Sequence, residues 1–215
     1  VKKIFLLTTL ALLSVSSFAQ DMSVEDVNPI NMSVPESSAL DDFNPHDPNI
    51  EETLREMDEA YERETGLSPF LELDSSSEKD GDCYRASCKV FLDINKTKQS
   101  ASIYVDGVLK YSVKVSTGLN GFLTPNFDKH PNGRIYDKYT SSKYPGGDYN
   151  GLGNMPYAVF ISGGFAVHGT GRGNWPKLGS KASHGCIRMH PDNGKIFNRL
   201  VRSVGISQTW ITVRN

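Results

Sequence analysis

From residue 89 onward, apolar and polar positions alternate in short runs. The runs at 89–94, 101–105, 108–116, 157–162, 165–168 and 209–213 are rich in Val, Ile, Phe and Tyr, a pattern that predicts strands with one buried face. Asp106-Gly107, between the second and third runs, predicts a tight hairpin. After Pro191 the period changes to that of a helix. Ile196, Leu200, Val201 and Val204 share one face, Pro191 suits the first turn and Gly205 ends it. A second helical stripe, Ile50, Leu54, Met57 and Tyr61, predicts a helix over 48–65, capped by Asp47 and closed by Gly66. Its narrow apolar face either docks on the strand-rich part or stays solvated. Between 117 and 155 neither period holds. That stretch, rich in Gly, Pro, Asn and Tyr, reads as a long lid or binding loop and includes Tyr144-Pro145-Gly146. The fold class implied is mostly β with few helices.

Charge divides the chain at the same place. Residues 20–80 hold eighteen Asp/Glu against three Lys/Arg, a net of −15, whereas 81–215 hold eighteen Lys/Arg against seven Asp/Glu, a net of +11. The formal total of −2 conceals this. The acidic segment, 20–82, is expected to be largely flexible. Its charge either folds it back over the basic part or leaves it as a spacer. The basic part, 83–215, is the expected folded domain. With 215 residues, 38% hydrophobic, and a mean hydropathy of −0.39, collagen, coiled-coil, polytopic membrane and wholly disordered classes are excluded.

Residues 1–19 read as a secretory signal: Lys2-Lys3, an apolar run at 4–13, then Ser17-Phe18-Ala19 with cleavage after Ala19. The run is shorter than the roughly 20 apolar residues of a membrane span. An uncleaved anchor is the alternative reading. Export implies an oxidising compartment, and three cysteines leave one over. Cys83 and Cys88, five positions apart, make the economical disulfide. Cys186 remains.

The surroundings of Cys186 carry the chemistry. They are Ala166-Val167-His168-Gly169-Thr170 and Ser183-His184-Gly185-Cys186-Ile187-Arg188-Met189. A thiol becomes a useful nucleophile when its pKa falls from about 8.5 toward neutrality, and an imidazole or guanidinium nearby brings this about. His184 and Cys186, two apart, point the same way in an extended segment; His168 ends a strand and can face the thiol. Gly185 admits a substrate close to the backbone, and the amides of Gly185 and Cys186 are placed for a developing oxyanion.

His168 followed by Ser183-His184-Gly185-Cys186-Ile187-Arg188 resembles the signature of the L,D-transpeptidase catalytic domain, the YkuD family of bacterial cell-wall enzymes. The resemblance extends over Val115-Ser116-Thr117-Gly118, Thr124-Pro125, Met155-Pro156-Tyr157 and His190-Pro191-Asp192. It implies a compact, sandwich- or barrel-like β fold with one or two helices and a long lid loop, in which Cys186 is the nucleophile and His168 its base, with the Gly169 carbonyl orienting the imidazole. It also implies that His184 and Ser183 shape the loop, that Arg188 supports it or reads a substrate carboxylate, and that Tyr157 lines or supports the site. The implied reaction opens the bond between diaminopimelate and D-Ala in a peptidoglycan stem tetrapeptide and forms a 3→3 cross-link through a thioester. The family usually continues Thr-Pro-x-Gly-x-Phe, whereas this chain has Thr124-Pro125-Asn126-Phe127-Asp128, which leaves substrate preference open.

Other readings of the same residues stay alongside. A hydrolase, L,D-carboxypeptidase or endopeptidase, would use the same site with water as acceptor, and a non-catalytic wall-binding module would not use the thiol. His168, His184, His190 and Cys186 are metal-ligand types, but no Cys-x-x-Cys or His-x-x-x-His spacing accompanies them, so neither metal nor cofactor is expected. His46 reads as solvated, His130 as a turn residue, and Trp210 as core. Trp175, Tyr144 and Tyr149 line a groove or pack loops. The expected setting is the periplasm or cell envelope: a monomer acting on stem peptides, with no nucleic acid and no integral membrane segment after signal cleavage.

Overall fold

The period-two runs form β1 (Val90–Asn95), β2 (Ser100–Val105), β3 (Val108–Ser116), β5 (Val159–Ser162), β6 (Phe165–Gly169) and β8 (Thr209–Arg214), joined by two shorter strands, β4 (Phe127–Lys129) and β7 (Ile187–Met189). The structure, a computed structural model, describes residues 44–71, 83–140 and 147–215. The signal-like segment 1–19, the acidic residues 20–43 and 72–82, and Tyr144-Pro145-Gly146 lie outside the described residues. The fold is mostly β. One eight-stranded sheet runs in the order β4-β8-β1-β2-β3-β7-β6-β5, with β1 parallel to β8, β6 parallel to β7, and the other pairs antiparallel. Asp106 and Gly107 turn the β2–β3 hairpin with φ of 49° and 72°, values that suit the right-handed twist of the strands.

Two strands escape the pattern because they have three residues each, too few to show alternation. One of them, β4, lies within the stretch read as a continuous lid. The run at 157–162 becomes strand only at Val159, since Tyr157 adopts a φ of +60°. Trp210 is not core: Thr209 and Ile211 on either side turn inward, and its indole N–H donates to Asp128 Oδ1 at 2.8 Å.

Alternation along β5, β6 and β7 gives this part of the sheet two apolar faces. Val159, Ile161, Val167, Ile187 and Met189 enter one cluster with β1, β2 and β8. Helix α2 (Pro191–Val204) covers it through Phe197 and Val201. Phe160, Ala166 and Cys186 point into the other cluster, with Tyr136, Tyr139 and Met155. Helix α1 (Ile50–Thr65) adds Leu54, Met57 and Tyr61 to that second cluster. It starts two residues after the point read from sequence. Asp47 accepts the Asn49 N–H at 2.9 Å, forming a turn before the helix, and Asn49 is the N-cap. Cys83 and Cys88 form a disulfide that excludes Cys186. Among the described residues no helix is long and apolar enough to cross a membrane.

Candidate active site

In the parallel β6–β7 pair, Val167 lies beside Ile187 and His168 beside Arg188. Side chains alternate along both strands, so His168, Cys186 and Arg188 project from the face opposite Val167 and Ile187. Cys186, the residue before β7, therefore lies on the same side of the sheet as His168, one side-chain step along the chain from Arg188. Both are 0% exposed. The Cys186 thiol donates to Gly164 O at 3.5 Å. His168 Nδ1 lies 2.6 Å from Gly169 O. A carbonyl oxygen can only accept, so Nδ1 carries the hydrogen and Nε2 keeps a lone pair.

The loop before Cys186 is held from several directions. Gly185 takes a φ of +124°, a conformation that L side chains rarely adopt. Ser183 Oγ donates to Cys186 O at 2.6 Å and accepts the Gly185 N–H at 3.1 Å. That Gly185 N–H, expected to face a substrate oxygen, is thus turned toward Ser183. Thr124 Oγ1 donates to Gly185 O at 2.7 Å and accepts the Gly118 N–H at 2.8 Å. Arg188, fully buried, donates to Ala182 O at 2.9 Å and to Asn174 Oδ1 at 3.4 Å, so its guanidinium supports the loop from behind. The His184 ring meets Phe122 edge-on at 4.9 Å.

Tyr157 stands apart from this group. Its ring lies against the Lys195 and Arg199 cations of α2, at 6.0 and 5.8 Å. Its neighbour Pro156 reaches the site through main chain, accepting the Gly169 N–H at 2.8 Å. Trp175 packs on His190 at 4.3 Å, and its indole N–H donates to Thr170 O at 3.0 Å. His130 Nδ1 lies 2.7 Å from Thr209 O, tying the long loop to β8. Among the described residues no group of three His, Cys, Asp or Glu is arranged to hold a metal ion.

Sequence reasoning missed several neighbours of the site. Asn174 is fully buried behind Arg188, and its amide donates to Thr170 Oγ1 at 3.0 Å. Tyr139 lies in the Cys186 cluster; burial first, then the charges of Asp58 and Cys186, push its phenol well above the usual range. Pro45 and His46 lie over the loop at Gly185. A Cβ on Gly185 would come within 2.8 Å of Pro45 Cγ and 3.1 Å of His46 Nε2.

The family model of the YkuD L,D-transpeptidase catalytic domain matches residues 89–208, more than half of the chain. The chain belongs to the YkuD family. The YkuD match contains His168, Ser183, Cys186 and Thr124 and excludes α1. No curated protein matches the chain. Among solved structures, an L,D-transpeptidase from Mycobacterium smegmatis is 21% identical with a TM-score of 0.43, over 60% of this chain and 59% of that one. L,D-transpeptidase 3 from Mycobacterium tuberculosis, in complex with a faropenem-derived adduct, is 22% identical with a TM-score of 0.44, over 60% and 61%. The L,D-transpeptidase from Stackebrandtia nassauensis is 18% identical with a TM-score of 0.46, over 73% and 75%. The chain thus spans about three fifths of the length of the first two.

Proposed function

We propose that the chain is an exported cysteine acyltransferase of peptidoglycan. Cys186 opens the bond between the L-centre of diaminopimelate and the following D-Ala in a stem tetrapeptide, then passes the acyl group to an amine of another stem. The observation that carries this reading is the Nδ1–H of His168 held by Gly169 O, with the imidazole on the same sheet face as Cys186. Family membership supplies the reaction class.

With its hydrogen on Nδ1, His168 takes the thiol proton at Nε2 and leaves Cys186 a thiolate. The thiolate adds to the carbonyl carbon. The Cys186 N–H and, once it turns from Ser183 Oγ, the Gly185 N–H receive the oxyanion. His168 returns the proton to the D-Ala nitrogen as the C–N bond breaks, leaving a thioester. The side-chain amine of a second diaminopimelate attacks that thioester, gives its proton to His168 and releases the sulfur. Each atom exchanged comes from the two peptides and the Cys186–His168 pair. His184 and Ser183 shape the loop, and Arg188 holds it from below.

Residues 83–215 make the catalytic domain in this reading, and 20–82 the acidic segment before it. The composition of 1–19 supports export, as does the Cys83–Cys88 disulfide, which suits an oxidising cell envelope. Mass spectrometry after incubation with tetrapeptide-bearing sacculi tests the reaction. The expected products are dimers joined through two diaminopimelates and an acyl adduct on Cys186, both lost in Cys186→Ala. Tripeptide monomers without dimers would assign hydrolysis to the same site, and neither product would overturn the proposal.

A further inference from the structure

The face of α1 that meets the catalytic domain carries Leu54, Met57 and Tyr61, and between them Asp58. A carboxylate inside an apolar stripe is costly to bury unless donors meet it. Two donors do. Arg134 Nε donates to Asp58 Oδ2 at 3.0 Å, and the Tyr136 hydroxyl donates to Oδ1. The Arg134 and Asp58 side chains are 16% and 12% exposed, and Tyr136 is wholly buried. Burial holds the Tyr136 phenol far above its ordinary range, so it remains a donor. Both donors belong to the YkuD-matched stretch, whereas the acceptor comes from outside it.

The pair opens onto the cluster that contains the thiol. The Tyr136 ring is 4.5 Å from that of Tyr139, and both share the apolar cluster with Ala166 and Cys186. Just before α1, the His46 ring stands edge-on to Phe165 at 5.1 Å, beside Gly185. No acyl donor reaches a thiol that is 0% exposed while this arrangement stands. A cavity of about 190 Å³ lines the seam between α1 and the domain at Met57, Tyr61, Lys138 and Tyr139, so the helix rests there without sealing.

We propose that Arg134 and Tyr136 form a carboxylate-binding subsite of the catalytic cleft, filled here by Asp58 in place of a carboxylate of the acyl-donor peptide. Helix α1 is then a tethered competitor for the cleft. The inference rests on the reading of Cys186 as the nucleophile that acts on stem peptides. Buried donors that lose their acceptor are costly, so displacement of α1 is favoured when another carboxylate arrives. A stem peptide brings several.

Binding and helix release are tested separately from turnover. Calorimetry in the Cys186→Ala background compares a synthetic tetrapeptide stem with free carboxylates against the same peptide fully amidated. Asp58→Asn is expected to tighten binding of the free-carboxylate peptide about tenfold, the scale of one hydrogen bond to a charged group. Adding Arg134→Gln is expected to reverse that gain and to leave the amidated peptide unaffected. With no replacement at Asp58, the free-carboxylate peptide is expected to speed tryptic cleavage at Arg55 and Arg63 of α1, and the amidated peptide is not. Equal affinities for the two peptides, an Arg134→Gln effect shared by both, or unchanged cleavage would each overturn the subsite. Failure of the acyl-transfer reading shows differently, as the absence of both dimers and a Cys186 acyl adduct from the parent chain while the affinity difference persists.

Discussion

His168 and Gly169 are chain neighbours, and the carbonyl of the second receives the Nδ1–H of the first at 2.6 Å. A main-chain oxygen thus fixes the tautomer that a buried carboxylate fixes in a Ser-His-Asp triad. Side-chain replacement cannot remove it, but crowding can move it. A Cβ on Gly169 would lie 2.8 Å from Pro191 Cα and 3.1 Å from Pro156 O, backbone atoms with little freedom to give way. Gly169→Ala is expected to cost about 1–3 kcal/mol in stability and to lower kcat more than KM. Thermal melts and steady-state kinetics check both, and an unchanged kcat would remove the orienting role.

Ser183 and Thr124 hold the same few peptide units. Ser183 Oγ bonds Cys186 O and the Gly185 N–H, while Thr124 Oγ1 bonds Gly185 O and the Gly118 N–H. Each loss leaves buried main-chain groups short of a partner, so Ser183→Ala and Thr124→Val should each destabilise by about 1–3 kcal/mol. Because they brace one loop, the double variant should depart from additivity by about 0.5 kcal/mol or more. Urea denaturation of the four proteins measures this, and the alkylation rate of Cys186 reports whether the loop has loosened around the thiol. Strict additivity would show two independent braces.

Arg188 separates two roles by its burial. Its guanidinium is 0% exposed and donates to Ala182 O and Asn174 Oδ1, so its replacement should act on the fold before it acts on substrate binding. Arg188→Met is expected to destabilise by about 2–5 kcal/mol, in the range of disruptive core replacements. Arg188→Lys should recover only part of this, since an ammonium cannot reproduce the guanidinium fork. A raised KM with an unchanged melting temperature would return Arg188 to the role of carboxylate reader.

How far the sequence was legible follows from the range of each interaction. The longer strands announce themselves through alternation, and the hairpin through Asp106-Gly107, because both signals are local. The three-residue β4 and β7 have no room to repeat a pattern, and they become strands through β8, β3 and β6, distant in sequence. Cys186 and His168 stood out by residue type and motif. The brace at Thr124 did not, because its acceptor, Gly185, lies 61 positions on. His46 is exposed, as read from sequence, yet its contact with the Gly185 loop, like that of Asp58 with Arg134 and Tyr136, joins residues far apart in the chain and is visible only after folding.

Asp128 joins β4 to β8 and gives the fold an acid-sensitive point. Its carboxylate accepts from Arg85 Nε and Nη2 at 3.1 and 2.8 Å, from the Trp210 indole at 2.8 Å, from Thr212 Oγ1 at 2.7 Å and from the Tyr84 hydroxyl at 3.2 Å. The Arg85 bond first, then Trp210, Thr212 and Tyr84, hold it well below the usual carboxylate range against the opposing pull of burial. As pH falls, the unfolded chain takes up this proton first, near the ordinary Asp value of about 3.9. The contribution is therefore complete above that pH and is lost as pH falls through the lower folded value. The side chain is 36% exposed, so the effect is modest and weakens in salt. Asp128→Asn should lose less stability than the parent chain between about pH 5 and pH 2, with the difference shrinking at high ionic strength. Urea midpoints across that range at two salt concentrations measure it; parallel curves would mean that Asp128 has the same pKa folded and unfolded.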